Sequence, residues 1–143
     1  MFIGEYNHSL DDKGRLAVPK KFQAKLKTGA VVTRGLDRCL FLYPKQDWEK
    51  LAEKLSALPI AKANTRAFSR LMLAGAMEAP LDGQGRIVLP EYLRQYAGIG
   101  KKVVVAGLMN RLELWDEKEW ESYKSTTERT SGDIAEALGD LGV

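Results

Sequence analysis

A ten-residue segment of this chain recurs with five of its residues unchanged. Leu10-Asp11-Asp12-Lys13-Gly14-Arg15-Leu16-Ala17-Val18-Pro19 aligns with Leu81-Asp82-Gly83-Gln84-Gly85-Arg86-Ile87-Val88-Leu89-Pro90 at an offset of 71 residues. Leu, Asp, Gly, Arg and Pro match in identity, and the apolar positions match in kind. Further along, Gly35-Leu36 matches Gly107-Leu108, Leu40 and Leu42 match Leu112 and Leu114, and Trp48 matches Trp120, now at an offset of 72. The second copy has therefore gained one residue, near Gly98-Ile99-Gly100. A turn motif, an apolar strand and a tryptophan recurring in one order mark a duplication, so the fold is expected to contain two like units.

Each copy reads alike. A β-rich segment (Phe2–His8; Ala76–Pro80) enters a tight turn at Asp-x-x-Gly. A short strand follows (Leu16–Val18; Ile87–Leu89), stopped by a proline that has no amide proton to give a ladder. Next comes a short helix (Lys20–Leu26; Glu91–Ala97), with Gly29 and Gly98 where C-caps fall. Two more strands (Ala30–Arg34 and Leu40–Tyr43; Lys102–Ala106 and Leu112–Trp115) lead to a closing helix, for which Asp47 and Asp116 are the expected N-caps. In the first closing helix, Trp48–Leu58, the spacing of Trp48, Leu51, Leu55 and Leu58 gives one apolar face. Pro59 then breaks the chain, and Asn64 is read as the cap of a helix over Thr65–Leu73.

These signals divide the chain into a first module with its closing helix (1–58), a connecting helical segment (59–75), a second module with its closing helix (76–123) and a polar tail (124–143). Residues 134–143 are either a frayed helix or disordered. The expected fold class is α+β, two four-stranded units with helices between and after them.

The Asp-x-x-Gly-Arg segment is first a piece of turn chemistry. Gly14 and Gly85 supply the positive φ of a tight turn. Asp11 and Asp82 can accept backbone amides within it, and Arg15 and Arg86 can reach back to pin both arms. Taken as a turn alone, the ion pair contributes at most about 1 kcal/mol. A turn alone, however, does not require both an Asp and an Arg twice. Lys13, Arg15, Lys20 and Lys21 also set four positive charges within nine residues. A two-stranded ribbon fits the major groove of DNA, where Arg can bridge guanine O6 and N7 and Lys can take phosphates. In the second copy Gly83 and Gln84 replace Asp12 and Lys13, and Glu91 and Tyr92 replace Lys20 and Lys21. The first hairpin is therefore expected to carry most of the affinity.

Charge follows the same polarity. Residues 1–58 hold 11 basic and 7 acidic side chains, whereas residues 81–143 hold 8 and 11. The N-terminal half is the expected side to meet a polyanion. Enzymatic readings find no support. The one histidine (His8) and the one cysteine (Cys39) lie in separate apolar segments, so no nucleophile has a base beside it. A zinc site needs about four such ligands, and the glycine pairs are too short for a phosphate loop. No apolar run approaches the roughly 20 residues that span a bilayer, and Met1–Tyr6 lacks a signal-peptide pattern. The expectation is a soluble, cytoplasmic chain that is not an enzyme, with no cofactor, metal or small-molecule substrate.

These residues closely resemble the MraZ family, whose members are built from two swapped-hairpin, β-barrel-like modules of the AbrB and SpoVT type. The resemblance covers nearly the whole chain. It is carried by Asp11-x-x-x-Arg15 with Asp82-x-x-x-Arg86, by the opening Met-Phe-x-Gly and by Leu112-Glu-Leu-Trp115. It implies a nucleoid-associated transcriptional regulator that binds short direct repeats of double-stranded DNA upstream of the division and cell-wall gene cluster containing its own gene. It further implies a homo-oligomeric ring of about eight subunits. Carried over by position, the DNA-contacting residues are Asp11, Lys13, Gly14 and Arg15, with Asp82, Gly85 and Arg86 as their counterparts. Lys20 and Lys21 join them on charge alone. The alternative is a ring-forming scaffold or nucleoid protein without sequence-specific readout. In that case Trp48, Trp120 and the run Phe68-x-x-Leu71-Met72-Leu73 would build subunit interfaces rather than cover each module's sheet.

Overall fold

Along the central strands the apolar side chains alternate between two faces, as the two-residue period of a strand requires. Val103, Val105, Leu40, Leu42, Leu112 and Leu114 join one buried cluster, while Val104, Phe41, Tyr43 and Trp115 join another. A sheet with two apolar faces must be covered twice, and the result is three layers. The structure is a computed structural model and describes residues 1–142. Its elements are β1 (Phe2–Ser9), β2 (Arg15–Ala17), α1 (Lys20–Leu26), β3 (Ala30–Arg34), β4 (Leu40–Pro44), α2 (Lys45–Ser56), α3 (Ala63–Ser69), β5 (Met77–Glu78), β6 (Arg86–Val88), α4 (Glu91–Ala97), β7 (Lys102–Met109), β8 (Leu112–Asp116), α5 (Glu117–Arg129) and α6 (Ser131–Ala137). Helix α3 widens directly into a π-helical turn, Arg70–Ala74.

Six strands form one antiparallel sheet in the order β1-β7-β8-β4-β3-β5, and β2 pairs with β6 as a separate ribbon. That order is a palindrome of the repeat, because β1 and β5, β7 and β3, and β8 and β4 are equivalent strands. At its centre Leu40 faces Leu114 and Leu42 faces Leu112, so an approximate twofold axis runs between β4 and β8. Only β3–β4 and β7–β8 pair within a copy; the other ladders cross from one copy to the other. The ribbon and helices α1 and α4 cover one face with Leu16, Ile87, Phe22, Leu26, Leu93 and Ala97. Helices α2, α3 and α5 cover the other, where Trp48, Leu51, Leu55, Phe68, Met72 and Trp120 pack against Phe41, Tyr43 and Trp115. Trp48 and Trp120 thus cover the sheet.

Several expectations are corrected. The two copies are not separate four-stranded units: β1 runs its full length against β7, and the segment expected as β-rich at Ala76–Pro80 yields only Met77–Glu78, paired with β3. Asp47 is not an N-cap, because α2 begins two residues earlier, directly after Pro44; Asp47 sits in the first turn, where the helix dipole favours a carboxylate. Asn64 likewise lies inside α3, which starts at Ala63. Asp116 does cap α5, its side chain accepting from the Lys118 amide. Gly98 caps α4 in the left-handed region, whereas α1 ends at Leu26 with Lys27 as its C-cap and Gly29 lies beyond it. Residues 124–129, read as tail, complete α5, and α6 follows with no buried residue. Val143, also assigned to the tail, lies outside the described residues.

Gly107 faces Gly4 across β1–β7, with no room for a side chain. A Cβ there would stand 2.4 Å from the Ile3 amide nitrogen and 2.5 Å from the Phe2 carbonyl carbon. Gly107→Ala must push β1 away from β7, with an expected loss of about 1–3 kcal/mol read as a lower urea midpoint. An unchanged midpoint would show that this ladder is looser than its geometry.

Candidate nucleic-acid interface

The ribbon is short, and its residue order decides what it shows to solvent. Leu16 and Ile87 are register partners and fully buried. Strand alternation therefore sends Arg15, Ala17, Arg86 and Val88 to the outer face. Arg15 pairs with Val88 and Ala17 with Arg86, so the two arginines sit diagonally across one exposed surface. The strand–turn–strand unit read from the sequence is not a hairpin within a copy. Beside a single bridge between Leu10 and Leu16, β2 finds its partner in β6. Three residues are too few to hold a two-stranded hairpin, and β1 is already committed to β7.

The two turns share one geometry. Asp11 Oδ1 accepts the amides of Lys13 and Arg15, both at 2.9 Å, and its Oδ2 accepts Arg15 Nε at 2.6 Å. Asp82 Oδ1 accepts the amides of Gln84 at 2.8 Å and Arg86 at 2.9 Å, and its Oδ2 accepts Arg86 Nε at 2.8 Å. Each carboxylate thereby organises the backbone and aims the guanidinium. Because Nε is the nitrogen held, the Nη1–Nη2 edge of each arginine carries no hydrogen bond among the described residues. Arg86 Nη1 also lies 3.9 Å from Asp11 Oδ2, linking the two turns.

Gly14 and Gly85 adopt φ of +73° and +75° and are buried where the copies interlock. The Gly14 carbonyl accepts the Leu89 amide at 2.8 Å, and the Gly85 carbonyl accepts the Val18 amide at 3.0 Å. Two further side chains close this arrangement, and the sequence reading missed both. Gln23 Nε2 donates to the Val18 carbonyl and Arg94 Nε to the Leu89 carbonyl, each at 3.0 Å. They stand at the same 71-residue offset and four residues after the equivalent prolines. Their common position was the available signal, but their unlike chemistry hides it.

The lysines separate. Lys13 is exposed at the tip of the first turn, and Lys20 is exposed at the start of α1. Lys21 Nζ donates to the Tyr6 hydroxyl at 2.6 Å and lies over the Tyr6 ring, so its ammonium is tied to β1. His8 is half-buried on β1, and burial lowers its pKa, favouring the neutral ring. Cys39 is fully buried, its Sγ donating to the Leu36 carbonyl, and burial pushes its thiol pKa far up. Among the described residues no His, Cys, Asp or Glu cluster could hold a metal, and no helix is long and apolar enough to cross a membrane.

Two outcomes test this geometry. In Gly14→Ala the new Cβ meets the Leu89 carbonyl oxygen at 3.2 Å in a left-handed backbone, so about 1–2 kcal/mol is lost. Gly83→Ala opens into empty space and stays within about 0.5 kcal/mol; equal urea midpoints for the two variants would contradict the interlock. The Asp11 and Asp82 carboxyls are held below the usual aspartate range, chiefly by the Arg15 and Arg86 backbone amides. A depressed folded pKa contributes stability that is complete above the unfolded value and lost as pH falls through the folded one. Carboxyl NMR should give midpoints below the ordinary aspartate value for both, with the turns persisting at about pH 4.

Comparison with known proteins agrees with this duplicated architecture. The family model described as "MraZ protein, putative antitoxin-like" matches twice in tandem, over residues 1–71 and 72–140. The chain is 49% identical to a protein of Halothermothrix orenii, 48% to one of Natranaerobius thermophilus and 50% to one of Pediococcus pentosaceus, each over 143 residues and the whole of both chains. All three bear the name "Transcriptional regulator MraZ". Two tandem family matches and full-length relatives near half identity make this chain a member of the MraZ family.

Proposed function

We propose that this protein is a sequence-specific DNA-binding transcriptional regulator that lays the outer face of the β2–β6 ribbon in the major groove. The observation that carries the reading is the pair of matched Asp–Arg turns converging on that one face. A guanidinium held through Nε keeps its two terminal nitrogens for guanine O6 and N7, which is the bidentate contact that tells G from the other bases. Asp11 and Asp82 orient the arginines, Gly14 and Gly85 permit the turns, and Lys13 and Lys20 take phosphates. Lys21 is the weakest member of the set, since Tyr6 already holds it. The relatives' shared name, transcriptional regulator, supports the same role.

On this reading the fold is a pair of interlocked AbrB/SpoVT-type swapped-hairpin modules, joined by 59–75. The targets are short direct repeats upstream of the division and cell-wall gene cluster that includes the protein's own gene. The protein works in the cytoplasm, associated with the nucleoid and without enzymatic activity, as a ring of about eight subunits. Several ribbons facing several repeats raise affinity through effective concentration.

Fluorescence anisotropy on repeat-bearing and scrambled duplexes, across a salt series, tests this. Specific binding weakens as salt rises. Arg15→Ala should lose most of the discrimination between duplexes, about 10-fold or more for a bidentate pair, while Lys20→Ala weakens both alike. Arg15→Ala binding the repeats as wild type does would remove the ribbon as the reading surface. A monomer by light scattering at working concentration would remove the ring.

A further inference from the structure

Arg94 belongs to the second copy by sequence but sits against the first turn in space. Its guanidinium carbon and Nε would lie 3.3 and 3.4 Å from a Cβ placed on Gly14. The Nε–H is spent on the Leu89 carbonyl, which fixes the plane of the group beside the Lys13-Gly14-Arg15 segment. Arg15, Arg86 and Arg111 each have a carboxylate partner, at 2.6, 2.8 and 2.8 Å. No carboxylate among the described residues pairs with Arg94. The acidic residue on its own helix, Glu91, accepts from Gln95 instead. A half-buried guanidinium with an anchored Nε and no counter-ion is prepared for an anion that arrives from outside.

The equivalent position beside the second turn holds Gln23, which makes the same anchoring bond without charge. The interlock therefore gives one extra cation to the turn that already carries Lys13 and none to the turn that carries Gln84. We infer that Arg94 is a phosphate-contacting residue of the first turn, donating its Nη1–Nη2 edge to the DNA backbone beside the bases read by Arg15. This rests on the reading of the ribbon as a DNA interface. It assigns Arg94 to affinity rather than discrimination, since phosphate contacts carry no sequence information directly.

Gln23 shows which substitution to make: Arg94→Gln can keep the bond to the Leu89 carbonyl while removing the charge and the Nη1–Nη2 edge. With the full chain, anisotropy on repeat-bearing and scrambled duplexes over a salt series should give a slope of log K against log salt shallower by about 0.9 per engaged subunit. Affinity should fall equally on both duplexes, leaving the ratio between them unchanged, unlike Arg15→Ala. Gln23→Arg should steepen the slope and tighten both duplexes. Thermal melting checks that Arg94→Gln folds; where it does not, Gln23→Arg decides, and no change in its slope overturns the inference. An Arg94→Gln protein that folds and matches wild type in slope and affinity also overturns it, leaving the ribbon reading intact. A wild-type chain that binds neither duplex overturns both.

Discussion

The ladder between β2 and β6 is the interaction on which the rest of the molecule depends. Each strand has three residues and is followed two residues on by a proline, so neither can form a stable pair with its own neighbours. Pairing with the equivalent strand of the other copy solves this. It also brings Leu16 and Ile87 together under the ribbon, where both are removed from water. Burying side chains of this size contributes on the order of 1.5–3 kcal/mol each. The same exchange fixes the sheet, because β1 must then reach β7, β5 must reach β3, and β4 and β8 are left to meet at the axis. Neither copy completes its core alone.

The chemistry of the turns, by contrast, is made within each copy. In an isolated hairpin an Asp–Arg pair would be a surface ion pair of small value. Here the carboxylate carries three hydrogen bonds, two from amides and one from Nε, so it acts as a scaffold for the loop. The pair is electrically neutral, and the net charge of the face comes from side chains around it. On the proposed DNA-binding reading, that division lets the surrounding charge attract a polyanion without regard to sequence and leaves the arginines for base edges.

Local chemistry was legible in the sequence, and partner choice was not. The helices after the prolines, Lys20–Leu26 and Glu91–Ala97, come out with the bounds read from the sequence, because proline and the apolar spacing fix them within one copy. The change of offset from 71 to 72 falls in the loop from Gly98 to Lys101, between α4 and β7, as the repeat implies. Asp116 caps its helix as expected, while its equivalent in the first copy at the 72-residue offset is Pro44, which opens α2 without a side-chain cap and leaves Asp47 inside the first turn. The crossing of four of the six ladders left no trace in periodicity: a strand alternates in the same way whichever partner it finds. The residues of the candidate site were readable for the same local reason, since Asp11 to Arg15 make their own turn. Gln23 and Arg94 were not, because their role depends on which turn the fold sets beside them.

The duplication therefore has an outcome that alignment of the copies cannot give. Matching Lys13 with Gln84, and Lys20 and Lys21 with Glu91 and Tyr92, treats each turn as dressed by its own copy. In space the first turn is dressed partly by the second copy, through Arg94, and the second turn by the first, through Gln23. Two substitutions that look independent along the chain thus act on opposite turns, and they deepen the contrast already present in the lysines. A twofold scaffold has become electrically one-sided while its hydrogen-bonded frame stays symmetric, because Gln23 and Arg94 donate the same bond to the carbonyl and only Arg94 adds a charge.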